Sequence, residues 1–109
     1  MDAVLAALAE PNRREILRLV HSEELPAGQI ASHFDVSRPA ISQHLKVLRD
    51  AGLVDERRDG TRRLYRVRAE GFVDVSRFIE EFWNVNLDRL KVEAERQEQA
   101  RRAQEGRKK

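Results

Sequence analysis

The chain has 109 residues, no cysteine, 37% charged and 6% aromatic residues, and a formal net charge of +2. That length suits one small domain and not two, with a compact core built mainly from aliphatic residues. The lack of cysteine excludes disulfides, thiol redox sensing and thiolate metal sites within these residues. With no signal peptide and no apolar run of membrane-spanning length, the expectation is a soluble cytoplasmic protein without membrane contact.

In chain order, residues 2–9 read as a short helix with Val4, Leu5 and Leu8 on one side. Glu10-Pro11 interrupts it, and Pro11 suits the first position of a second helix running to about His21. Ile16, Leu17 and Val20 face inward there, with Arg13, Arg14 and Arg18 outward. Residues 22–26 read as a loop. From Gln29 to Leu48 the pattern is helix, tight turn, helix. Ile30, Ala31 and Phe34 form the inner face of the first helix, and Val36 is expected to plug the turn. Ser37 is placed to N-cap the second helix, with Pro39 in its first turn, where a missing N–H does no harm. Ile41, Leu45 and Leu48 then make one apolar stripe at i, i+4 and i+7.

Pro39, Ser42, Gln43 and Lys46 cluster on the opposite face, with no carboxylate before Asp50. Short polar groups with a cation suit a major groove, where hydroxyls and amides read base edges and cations meet phosphate. An ordinary solvated helix face is the alternative for this helix alone. The segment that follows favours nucleic acid. Gly52 stands where a left-handed helix cap is expected. Residues 53–58 and 61–68 read as two strands joined by Asp59-Gly60, a two-residue hairpin signal. That turn pairs Arg58 with Thr61, Arg57 with Arg62 and Glu56 with Arg63. Arginines facing across a ladder repel, and an anion such as a phosphate between them relieves the repulsion. Between Arg38 and Arg68 nine cations stand against four carboxylates, a local surplus suited to a polyanion.

From about Gly71 a long helix is expected. Phe72, Val75, Ile79, Phe82, Trp83 and Leu90 form one stripe, and Phe78, Val85 and Val92 a second. Two stripes cover more of the circumference than one intramolecular seam needs, so the helix is expected to pair with its copy in a second subunit rather than only to fold back on its own domain. The expected dimer interface comprises Val4, Leu5, Leu8, Val75, Phe78, Ile79, Phe82, Trp83, Val85 and Leu90. Residues 1–92 are expected to form the DNA-binding and dimerisation domain, and 93–109 a polar, charged tail that frays at its end.

A helix-turn-helix followed by a charged hairpin is a winged helix-turn-helix, a mainly α fold with a small β-hairpin. Leu8-Ala9-Glu10-Pro11-Asn12-Arg13-Arg14-Glu15-Ile16-Leu17 resembles the opening signature of the ArsR family of bacterial repressors. Residues 37–48 resemble that family's recognition helix. Ala51-Gly52-Leu53-Val54, Arg57-Arg58-Asp59-Gly60 and Tyr65-Arg66-Val67 resemble its wing. The resemblance spans roughly residues 4–92. It implies a homodimer whose terminal helices form the interface, with two recognition helices in successive major grooves of a pseudo-palindromic operator and the wings in adjacent minor grooves. It also implies release by an effector or a second signal; for this chain an unidentified small molecule, a protein, or nothing beyond autoregulation all stay open. The chain departs from the metal-sensing members: Leu25-Pro26-Ala27-Gly28-Gln29 stands where they carry a Cys-x-Cys motif, and the terminal helix has no histidine.

The expected DNA-binding residues are Ser37, Arg38, Pro39, Ala40, Ser42, Gln43, His44 and Lys46 in the recognition region (37–51), and Arg57, Arg58, Arg62 and Arg63 in the wing (53–68). Ser42 and Gln43 are the base-edge candidates, and Lys46 is a phosphate contact. His44 lies only about 60° from the apolar stripe, so a half-buried positional role competes with a DNA role. No enzymatic constellation and no cofactor or metal site is recognisable. The leading expectation is a sequence-specific, dimeric repressor. A sequence-tolerant architectural DNA-binding protein and a winged-helix protein-interaction module are the alternatives.

Overall fold

The computed structural model describes residues 1–83 and 88–107. Helix α1 (Asp2–Leu8) is followed at once by α2 (Pro11–Ser22), which Glu10 N-caps by accepting the Arg13 backbone N–H at 2.8 Å. Arg13 then reaches back to α1: its Nε donates to the Ala7 carbonyl at 2.8 Å and its Nη2 to that of Ala6 at 3.1 Å. Arg14 Nη1 donates to the Leu8 carbonyl at 2.8 Å. The last carbonyls of a helix have no intrahelical partner, and these two arginines supply one. The Glu-Pro-x-Arg-Arg sequence is therefore a corner that fastens α1 onto α2.

Residues 25–26, read from sequence as loop, form a two-residue strand β1 (Leu25–Pro26). Two residues carry no readable alternation, which is why pattern reasoning passes over it. Helix α3 (Ala27–Ala31) buries Ile30, and Phe34 beyond it packs against the core. Val36 does not plug the turn: Phe34 takes the apolar position there, and Val36 is 41% exposed.

Helix α4 (Arg38–Asp50) begins as its sequence indicates. The Ser37 hydroxyl accepts the Ala40 N–H at 3.2 Å, and Ile41, Leu45 and Leu48 are buried. It ends in a Schellman arrangement, Leu53 N–H to Leu48 O and Gly52 N–H to Arg49 O, both 2.9 Å, with Gly52 at φ +79°. The chain leaves directly into β2 (Val54–Asp59), which pairs antiparallel with β3 (Arg62–Val67). The strand order is β1-β3-β2.

The hairpin register differs from expectation. Asp59 pairs with Arg62, Arg58 with Arg63 and Glu56 with Tyr65, so the turn is Gly60-Thr61. A turn at Asp59-Gly60 of the type I′ kind requires positive φ at both residues. Here Gly60 alone has positive φ, +65°, and Asp59 stays in the strand. There its carboxylate lies 3.2 Å from Arg62 Nη2. An arginine pair still faces itself across the ladder, but it is Arg58 with Arg63.

After β3 a 3-10 turn (Ala69–Phe72) leads into α5 (Val73–Phe82). The core joins α1 to β3: Val4, Ala7, Ile16, Leu17, Val20, Leu25, Ile30, Ile41, Leu45, Leu48, Leu53, Val54, Tyr65 and Val75 are buried together. Val4 and Val75, expected at a subunit interface, are each only 8% exposed and pack in the core of their own chain, and Leu8 is partly buried against the same core.

The chain divides into two compact units, residues 1–75 and 76–109. Within the second, Phe78 and Phe82 meet edge to face with ring centroids 5.2 Å apart, and Phe78, Ile79, Phe82, Trp83 and Val92 are exposed. The helix expected to continue from Gly71 is described as α5 and then α6 (Asp88–Arg107). Val85 and the Leu90 side chain lie outside the described residues. Helix α6 continues through Gly106, where fraying was expected. Among the described residues, no helix is long and apolar enough to cross a membrane.

Candidate nucleic-acid interface

The apolar stripe of α4 fixes the helix against the core, and its opposite side forms one wall of an open groove of about 680 Å³. Arg38, Ser42, Lys46 and Arg49 come from α4, and Thr61, Arg62, Arg63 and Tyr65 from the wing. Residues 26–28 at the start of α3 close one side. Arg38 lies against Gly28, its Nη1 3.5 Å from where a Cβ there would stand, an ordinary contact distance. Five cations and, among the described residues, no carboxylate line this groove.

Two of these five cations pair with exposed carboxylates. Lys46 Nζ is 3.2 Å from Asp50, and Arg62 Nη2 is 3.2 Å from Asp59. Exposed pairs of this kind contribute only about 0–1 kcal/mol, so a phosphate can replace the carboxylate at little cost. Arg49 and Arg63 share a less exposed partner, Glu56, at 2.7 and 3.5 Å. Burial pushes the Glu56 carboxyl up, but the bonds from Arg49 and the Tyr65 hydroxyl outweigh it and hold it below the ordinary carboxylate range. Tyr65 is raised, by burial first and by the charge of Glu56 second.

The expected DNA-binding residues separate into groups. Arg38, Ser42, Lys46, Arg62 and Arg63 come together on the groove. Ser37 caps α4 through the Ala40 N–H, and Pro39 and Gln43 are exposed on the same helix. Arg58 is exposed across the ladder from Arg63. His44 turns the other way: its side chain is 18% exposed, with Nδ1 3.4 Å from Arg13 Nη1 and 3.9 Å from Glu10. It braces α4 against the α1–α2 corner. Arg57 is also turned away, held bidentate by Glu24 at 2.6–2.9 Å. The hydrogen bond from Arg57 is the main cause that lowers the Glu24 carboxyl below its ordinary value.

Arg49, Thr61 and Tyr65 line the groove although sequence reasoning did not select them. For Arg49 a signal existed, since it stands three residues after Lys46 and seven after Ser42 on one helix face.

A groove walled by a recognition helix and a wing has counterparts among known proteins. The profile of the bacterial regulatory protein, arsR family, matches residues 10–56. The HTH-type transcriptional regulator Rv2034 of Mycobacterium tuberculosis is 42% identical over 82 residues, covering 75% of this chain and 77% of that protein. The chain belongs to the ArsR family. A crystal structure described as a possible transcriptional regulator for arsenical resistance is similar at TM-score 0.71 and 43% identity, over 85% of this chain and 96% of that one. The homodimeric winged helix-turn-helix DNA-binding domain of Mb0332 from Mycobacterium bovis, solved by NMR, is similar at TM-score 0.62 and 30% identity, over 79% and 80%. As an ArsR-family protein the chain is a DNA-binding transcriptional regulator, not an enzyme.

Proposed function

We propose that the chain is a homodimeric repressor that binds a pseudo-palindromic operator, with α4 in the major groove and the β2–β3 wing against the flanking backbone. The observation that carries this reading is the groove: Arg38, Lys46, Arg49, Arg62 and Arg63 surround Ser42, a hydroxyl able to contact a base edge. Gln43, exposed beside it, offers an amide suited to adenine. Dimerisation has two supports. Phe78, Ile79, Phe82 and Trp83 form an exposed apolar face in one helical region, and the similar Mycobacterium bovis domain is homodimeric. These 109 residues contain no cysteine and so offer no thiolate site for a metal effector. As a DNA-bound regulator it acts in the cytoplasm.

Selection of preferred sites from a random duplex pool at near-physiological salt tests the proposal. An inverted repeat with half-sites about one helical turn apart is the expected product. Binding without enrichment favours the architectural reading, and no binding favours the protein-interaction module.

A further inference from the structure

Glu56 does not line the groove but ties together one arginine from each of its walls. One oxygen, Oε2, accepts from Arg49 Nη1 at 2.7 Å and from the Tyr65 hydroxyl at 3.1 Å, and Oε1 lies 3.5 Å from Arg63 Nε. Arg49 belongs to the recognition helix and Arg63 to the wing, and both line the groove. Two guanidiniums and a hydroxyl around one anion are the surroundings a phosphate group would seek. The Glu56 side chain is 17% exposed, whereas those of Arg49 and Arg63 are 41% and 53% exposed, and Arg49 Nε also lies 3.8 Å from the exposed Asp50.

We propose that Glu56 is a specificity-determining residue: an internal anion that occupies Arg49 and Arg63 and withholds them from the phosphates of non-cognate DNA. Sequence-independent affinity comes from phosphate neutralisation by Lys and Arg. Drawing Arg49 onto a phosphate breaks its bond to Glu56 and leaves a half-buried carboxylate short of its counter-charge, a costly state. Backbone contact alone does not offset that cost, whereas a site that also engages Ser42 and Gln43 through base edges does. Glu56 therefore lowers affinity for every duplex and lowers it most, in relative terms, where backbone contact is all there is. The inference rests on the groove being the duplex-binding face.

The test compares wild type with Glu56→Gln on a random-sequence duplex, by fluorescence anisotropy from about 50 to about 300 mM KCl. Glutamine keeps the shape and an acceptor for Tyr65 but not the charge. Affinity is expected to rise about three- to tenfold near 0.1 M salt, with the salt dependence of log K steeper by about 1 for each of the two arginines that meets phosphate. Glu56→Ser, a second neutral variant, must move both quantities in the same direction. If Glu56 were only a brace between wing and helix, its loss would weaken binding and leave the salt slope unchanged. That result, or no change in either variant, overturns the proposal. Arg62→Glu on the same duplex checks the groove itself: binding undiminished there overturns the groove reading, whatever Glu56→Gln does, and this inference with it.

Discussion

Gly71 and Gly52 meet backbone to backbone: a Cβ on Gly71 would fall far inside contact distance of the Gly52 carbonyl oxygen and 3.3 Å from the Leu53 Cα. The contact seats the 3-10 turn after the wing against the cap of the recognition helix. Neither side is a flexible side chain able to yield. Gly71→Ala is expected to destabilise the fold by about 3 kcal/mol, the upper end of overpacking costs. Gly60 also has positive φ, but open space surrounds it. Gly60→Ala should cost only about 1 kcal/mol of backbone strain. Thermal or denaturant unfolding of the two variants checks the order.

Ser37 accounts for the start of the recognition helix through one hydrogen bond to the Ala40 N–H. Ser37→Ala should cost about 1 kcal/mol, and Ser37→Asp should recover most of it because Asp is an equally good cap. If Ser37→Asp nevertheless binds duplex DNA less tightly than wild type, the added charge lies near phosphate. Melting curves and DNA titrations on the two variants separate capping from contact.

The two arginines of the wing with different partners should behave differently on DNA. Arg57 is held by Glu24, away from the groove, whereas Arg62 lines it. Arg62→Gln is expected to reduce the salt dependence of log K by about 0.9, and Arg57→Gln to leave it unchanged. A reduced slope in Arg57→Gln would place that residue on the DNA after all.

Phe82 lies exposed on a helix that also exposes Phe78 and Ile79. In the proposed dimer, Phe82→Glu would put a charge into an apolar seam, which is strongly unfavourable. Sedimentation of the variant should show a monomer where the parent is a dimer. Persistence of the dimer would remove Phe82 from the interface.

The pH dependence of stability follows from Glu56. Burial raises its carboxyl, but the bonds from Arg49 and Tyr65 outweigh this and hold it below its ordinary value. The stability it contributes is therefore fully present above that value and is lost as pH falls through the lower, folded-state value. Glu56→Gln has no such charge to lose. The difference in Tm between wild type and variant should shrink between about pH 6 and about pH 3, and a constant difference would mean that the charge of Glu56 does not stabilise the fold.

The features legible in the sequence were those settled within a few residues. The Ser37 cap, the Ile41-Leu45-Leu48 stripe and the Gly52 terminus each depend on a local spacing, and each is present. Those it hid depend on partners far along the chain. Arg57 and Arg63 look alike in a list of wing cations, yet Glu24, 33 residues before Arg57, draws one away from the groove. His44 was legible in part: its angle to the apolar stripe allowed a half-buried role, but did not show that Arg13 and Glu10 would be its partners. The hairpin register turned on a choice between two adjacent two-residue turns that share Gly60, a difference of one position. Val4 and Val75 were misplaced for a simpler reason: an apolar residue reads the same in a core and at an interface.

The sheet order β1-β3-β2 leaves β2 with one unpaired edge. Its residues are Val54-Asp55-Glu56-Arg57-Arg58-Asp59, five of them charged and of mixed sign. An unpaired edge is a template on which further strands can add, and dense charge is the usual protection against that. The mixed charges of β2, which do not line the groove, thus have a use of their own: they protect the wing from fibrillar growth.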